Sequence, residues 1–223
     1  MDNKRKLAEA EKNKSLDKLL SDLDESDAKV KIDSIRKLAF FRGDRVLHAL
    51  SHIAKARYEE RPEVRIAALE ALSSIQPVEE FVTALEDFVA GENRKVMSAA
   101  RSMMKELDPE GWTARLVKLG ALDHQAICAY GIAREVTAIP LLTDFLEEKR
   151  LSGEFIETGW WGKVYAAVCA LEKIGGDDAR RTLLSLLENI DKLNLPSKSI
   201  FKEKRIEKIR VALKRALGKN LKA

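Results

Sequence analysis

His48 and His52 stand four residues apart, a spacing that puts two imidazoles on one face of a helix. Zinc sites use that spacing when a glutamate follows the first histidine and a further ligand lies elsewhere. Here the intervening residues are Ala49, Leu50 and Ser51, so the pair lacks a base, and no third ligand is indicated. The chain also has no P-loop, dinucleotide-binding glycine fingerprint, nucleophile elbow or Cys-x-x-Cys pair. Cys128 and Cys169 each lie in an apolar helical pattern and read as small buried thiols in a reducing, cytoplasmic setting. No catalytic residue, metal or cofactor is expected from these patterns.

The other residues that draw the eye are aromatic. "TGWWGK", residues 158 to 163, sets two of the three tryptophans side by side between Gly159 and Gly162, in a chain with only 6% aromatic residues. Phe155 and Ile156 add to an apolar run that lengthens the connection over 150–160 into a loop insertion. Tryptophan packs well and is also enriched in binding hot spots. One indole is therefore expected to cover its own repeat and the other to meet a partner; the spacing leaves open which does which.

These residues must be positioned by helices. Hydrophobic content of 45% with 34% charged residues describes a folded, helix-leaning chain, and 223 residues can bury a substantial core. No apolar run reaches the roughly 18 residues of a membrane span, and the N-terminus lacks the apolar core of a secretory signal. Glycine and proline fall between apolar-periodic stretches and act as stops and starts. They predict helices near 15–24, 27–41, 44–58, 62–75, 77–89, 93–107, 109–119, 122–134, 136–149, 160–174, 177–190 and 199–218. No stretch alternates with period two, so no sheet is expected. Residues 1–14 read as a flexible basic N-terminal segment ahead of one folded array over 15–223.

The helices repeat one another. "VRIAALEALSSI" (64–75) places Val64, Ala67, Ala68, Ala71, Leu72 and Ile75 on one stripe; "VMSAARSMMKEL" (96–107) and "KVYAAVCALEKI" (163–174) repeat it. Weaker copies begin at Val30, His124 and Ile209, so that Leu38, Leu72, Met104, Ile132, Leu171 and Leu217 share one repeat position. Alanines on such a stripe admit a neighbouring helix closely, and a helix pair that cannot bury its own face must stack on the next. The spacing is that of an α-solenoid of roughly 30- to 45-residue repeats. The pattern in "VRIAALEAL" resembles the second helix of the short bacterial and archaeal HEAT-like repeats, while "AIPLLTDFLEE" and "GGDDARRTLLSLLEN" resemble their first helices. The resemblance runs over residues 27 to 190. It implies an all-α, right-handed, armadillo-like superhelix of about five to six antiparallel helix pairs, with atypical capping repeats at its ends.

The same resemblance bears on function. HEAT-like iron hydroxylases carry repeated His-Glu pairs, and this sequence has no His-Glu dipeptide. HEAT-like DNA glycosylases pair aromatics with an acid, a role for which Trp160, Trp161 and Asp177 would have to be drafted; bilin lyases share only the repeat. In HEAT solenoids the second helices line the concave side, which would present Lys31, Arg65, Arg101, Lys105, Tyr130, Arg134, Tyr165 and Arg210 there.

The charge is uneven: the segment from Lys198 to Ala223 carries ten Lys and Arg against two Glu, a balance of +8, so the remainder is near −4. Helix 199–218 reads as a basic C-terminal cap, with Ile206, Ile209, Leu213, Ala216 and Leu217 docking and Lys204, Lys208, Arg215, Lys219 and Lys222 on its polar side. The expected function is a non-catalytic protein-interaction scaffold that uses the concave surface and the aromatic loop with Phe155, Trp160 and Trp161. The alternative is a nucleic-acid-binding module that uses the basic helix and concave face. Neither reading involves a membrane or a small-molecule substrate.

Overall fold

The structure is a computed structural model, and it describes residues 2–89, 91, 93–152, 160–190 and 200–219. Among these residues there are twelve α-helices and no strand. They fall into two compact units, residues 1–109 and 110–223.

The first unit contains α1 (Asp2–Ser21), α2 (Ala28–Leu38), α3 (Asp44–Lys55), α4 (Pro62–Ile75), α5 (Val78–Val89) and α6 (Arg94–Leu107). Helix α1 packs on α2, α3 on α4 and α5 on α6; α4 also lies against α2 and α6, so the second helices form a row. The starts follow local chemistry. The Asp27 carboxylate accepts from Lys29 N at 2.8 Å, and Asn93 Oδ1 accepts from Lys95 N and Val96 N at 3.0 and 3.3 Å. Pro62 opens α4 as its first residue, where no N–H is needed, and it holds Arg61 extended at ψ 145°. The apolar period predicts α3 to residue 58, but it stops at Lys55, where Ala56 leaves helical geometry at ψ 80°, so Arg57 and Tyr58 lie in the connection. Residues 2–14, expected to be flexible, are helical in α1, because Ala, Leu, Glu and Lys dominate the segment and favour helix without any apolar stripe.

The second unit contains α7 (Trp112–Lys118), α8 (His124–Ala133), α9 (Ala138–Leu151), α10 (Trp160–Ile174), α11 (Gly176–Ile190) and α12 (Ile200–Lys219). It repeats the arrangement: α7 packs on α8, α9 on α10 and α11 on α12, while α8, α10 and α12 form one row and α7, α9 and α11 the other. Each unit is thus an α-solenoid segment of three helix pairs. The docking stripe of α12 is as expected, with Ile206, Ile209, Leu213, Ala216 and Leu217 all buried.

The weak fourth copy of the stripe is displaced by one residue. Ile132, aligned with Leu72, is 75% exposed, and Gly131 takes the inward position instead. The reason is the approach of α10: a Cβ on Gly131 would lie 2.8 Å from Ala170 Cα, where only a hydrogen fits. Helix α8 then ends in a left-handed residue, Arg134, at φ 53°. Beside it, Glu135 ties α7 to the start of α9, accepting from Thr113 Oγ1 at 2.8 Å and Thr137 Oγ1 at 2.6 Å.

Two outcomes follow. Gly131→Ala gains up to about 1 kcal/mol of helix propensity, but the overpacking against backbone outweighs it, so urea unfolding should show a net loss of about 1–3 kcal/mol. The hydrogen bond from Thr137, helped by that from Thr113, holds the Glu135 carboxyl below the usual carboxylate range against the opposing effect of burial. A depressed folded pKa stabilises above the unfolded value of about 4.3 and is lost as pH falls through the folded value. Glu135→Gln should therefore lower stability at pH 7, with the gap to wild type closing in acid.

Candidate functional site

Helix α10 begins at Trp160, so the two adjacent indoles leave its first turn in different directions. Trp160 turns to α9: its ring centroid lies 6.1 Å from that of Phe145, and Lys149 Nζ and Lys163 Nζ each sit 4.3 Å from the indole. Lys149 is only 8% exposed and also reaches Glu148 Oε1 at 3.0 Å. A cation this close to an indole and largely desolvated is worth about 1–2 kcal/mol. Trp160 therefore packs toward α9, half-buried rather than fully buried, and Trp161 is half-buried as well. Lys149 escaped sequence reasoning because a lysine in the last turn of a helix ordinarily reads as solvated.

Trp161 turns to α12. Its centroid is 6.3 Å from that of Tyr165, one helical turn on, and Arg205 Cζ and Lys208 Nζ approach it at 5.6 and 5.8 Å. Trp161, Tyr165, Lys204, Lys208, Val211 and Arg215 line an open groove of about 550 Å³. Val211 is 56% exposed beside it. The groove thus has an apolar and aromatic floor with ammonium groups on its α12 side. It brings together Trp161, Tyr165 and three residues of the basic helix that the sequence treated as separate candidates.

The cations differ in what they have left to offer. Arg215 donates twice to Glu172, from Nε at 3.2 Å and Nη2 at 2.5 Å, and that hydrogen-bonded carboxylate raises its pKa. Arg210 is half-buried and paired with Glu207 at 2.6 Å. Lys204 and Lys208 are exposed, and neither has an acidic partner among the described residues. The Tyr165 hydroxyl is pushed above its usual range, first by the neighbouring Cys169 thiol and then by burial. It stays a neutral donor through the physiological range.

The remaining candidates are dispersed. Tyr130, projected toward a surface, is instead fully buried, with its hydroxyl donating to Ala121 O at 2.7 Å, because the register of α8 turns it inward beside Gly131. Arg65 and Arg101 are buried too. Each Nε donates at 2.9 Å to a carbonyl at the end of the preceding helix, Ala54 O and Val89 O respectively. These bonds satisfy carbonyls that a helix terminus leaves open. Lys31 forms a largely buried pair with Glu60, whereas Lys105 and Arg134 are exposed. His48 and His52 lie exposed on α3, and no group of three His, Cys, Asp or Glu side chains suited to a metal ion occurs among the described residues. Phe155, Lys222 and the side chain of Lys219 lie outside the described residues.

The row of second helices in the first unit coincides with a known pattern: residues 16–105 match the family model of HEAT repeats. Repeats of this kind commonly mediate protein interactions. The small-residue stripe of these HEAT helices recurs in α8 and α10 of the second unit, where it sets the groove. No curated protein matches the chain. Among the described residues no helix is long and apolar enough to cross a membrane.

The burial of Tyr130 yields a direct check. Tyr130→Phe removes a buried hydrogen bond and leaves Ala121 O without its donor, so stability should fall by about 1–2 kcal/mol. Fluorescence from the Trp161 groove should not change.

Proposed function

We propose that the protein is a non-catalytic, cytoplasmic interaction scaffold that holds an acidic segment of a partner protein in the α10–α12 groove. The observation that carries this reading is Trp161, set beside Tyr165 and approached by Arg205 and Lys208, with Val211 open next to it. An indole with a flanking ammonium offers apolar contact area and charge recognition in one place. Such a groove suits a peptide that alternates carboxylates with apolar side chains. The free thiols Cys128 and Cys169 are compatible with a reducing compartment.

A nucleic-acid strand is the second reading, since bases stack on aromatics and phosphates meet lysines. The ion pairs favour protein over nucleic acid. Arg215 and Arg210 are already committed to Glu172 and Glu207, and Glu207 itself lines the groove. Lys204 and Lys208 alone give few phosphate contacts, and nucleic-acid affinity scales with the number of phosphates neutralised.

A fluorescein-labelled peptide of alternating glutamate and leucine, compared with a single-stranded oligonucleotide across a salt series, tests this. The peptide should bind at physiological salt. Trp161→Ala and the double variant K204E/K208E should each weaken it by about tenfold or more. Oligonucleotide binding with a steep salt slope and no peptide binding would replace the proposal with the nucleic-acid reading.

A further inference from the structure

A second recess lies in the first unit. It is a cleft of about 210 Å³ among the α3–α4 connection, α4, α5 and α6, lined by Arg57, Tyr58, Arg65, Asp87, Phe88 and Asn93 among others. Its unusual member is Arg65. The residue is 5% exposed, and its Nε donates to Ala54 O, yet neither terminal guanidinium nitrogen has a partner among the described residues. Capping Ala54 needs only the Nε–H. The terminal nitrogens are not sealed from solvent, so they face the cleft as donors open to a ligand.

Arg57 compounds the imbalance. It lines the same cleft, is exposed, and has no acidic partner among the described residues. Burial first, and then the Arg57 charge, lower the Arg65 pKa. Asp87, the carboxylate among the described lining residues, does not balance them, because it is paired with Lys55 at 3.1 Å. Asn93 accepts two backbone bonds through Oδ1, so its amide nitrogen remains as a donor. Tyr58, at the edge, is 88% exposed and adds a phenol and an open ring face.

We infer that this cleft is an oxyanion site that takes a phosphate monoester between Arg57 and Arg65. Two guanidinium forks match a dianion with several acceptor oxygens better than a single carboxylate. Asn93 and the Tyr58 hydroxyl supply neutral donors, and the Tyr58 ring covers part of the substituent. The volume admits one phosphate group with a short substituent. Binding relieves the repulsion between the two arginines and fills the open donors of Arg65. The site is independent of the α10–α12 groove, so the fate of one proposal does not decide the other.

The test follows the Arg65 Nε–H resonance of the 15N-labelled full chain as inorganic phosphate replaces chloride at constant ionic strength. A saturable shift in the millimolar range is expected, and acetate should not reproduce it. Arg57→Gln, a surface change that leaves the melting temperature unaltered, should weaken phosphate binding about tenfold. Because Arg65→Ala also removes the bond to Ala54 and can unfold the unit, Arg57→Gln is the deciding variant. A short phosphoserine peptide separates the sources. Tighter binding than inorganic phosphate assigns the site to a phosphorylated protein side chain, and equal or weaker binding assigns it to free phosphate or a small ester. Absence of a saturable shift, an equal response to acetate or chloride, or a response unchanged by Arg57→Gln overturns the inference.

Discussion

The close approach of second helices is the constraint on which the rest of each unit depends. An isolated helix pair exposes one apolar face, and stacking pairs is the way to cover it. Small residues at the contact decide how near the next helix can come. Between α8 and α10 the contact is so tight that Gly131 meets Ala170 with no room for a methyl group. The same stripe gives α4 its buried row of Val64, Ala67, Ala68, Ala71 and Leu72. Once α10 is seated this closely, its first turn is held between α9 and α12. The two adjacent indoles must then part, Trp160 to Phe145 and Trp161 to Arg205 and Lys208.

Charge is organised differently from what the totals imply. The C-terminal segment carries the positive excess, and among its described residues Arg215 pairs with Glu172 and Arg210 with Glu207. Exposed pairs of this kind add little stability. Their consequence here is selective: in the groove Arg215 is already paired, whereas Lys204 and Lys208 have no acidic partner among the described residues. In the first unit the buried arginines face inward to helix-terminal carbonyls, so a residue type that reads as a surface contact serves a backbone instead. Arg65 does so with one nitrogen only, and that remainder makes its cleft chemically distinct.

Much of the fold was legible in the sequence because helix periodicity, small-residue stripes and proline or glycine punctuation are local properties. Eleven of the predicted helices begin within three residues of the observed ones, and the α12 docking stripe is buried as its period requires. The errors are local as well. Helix α1 extends back to Asp2 on propensity alone, α3 stops three residues early ahead of Pro62, and the α8 stripe shifts from Ile132 to Gly131.

The site was legible only in part. Trp161, Tyr165, Lys204, Lys208 and Arg215 were each marked by residue type, and the sequence alone determined that an aromatic pair opens one second helix and a basic helix follows it. That these residues share a groove is decided by the tertiary structure, since α10 and α12 meet only through stacking. Where each indole packs is likewise set by the neighbours on either side of α10. Tyr130, Arg65 and Arg101 were misplaced for the same reason: helical projection fixes an angle to about a residue, and one residue turns a side chain by about 100°. Only the packed neighbours decide whether that angle ends in solvent or against a carbonyl.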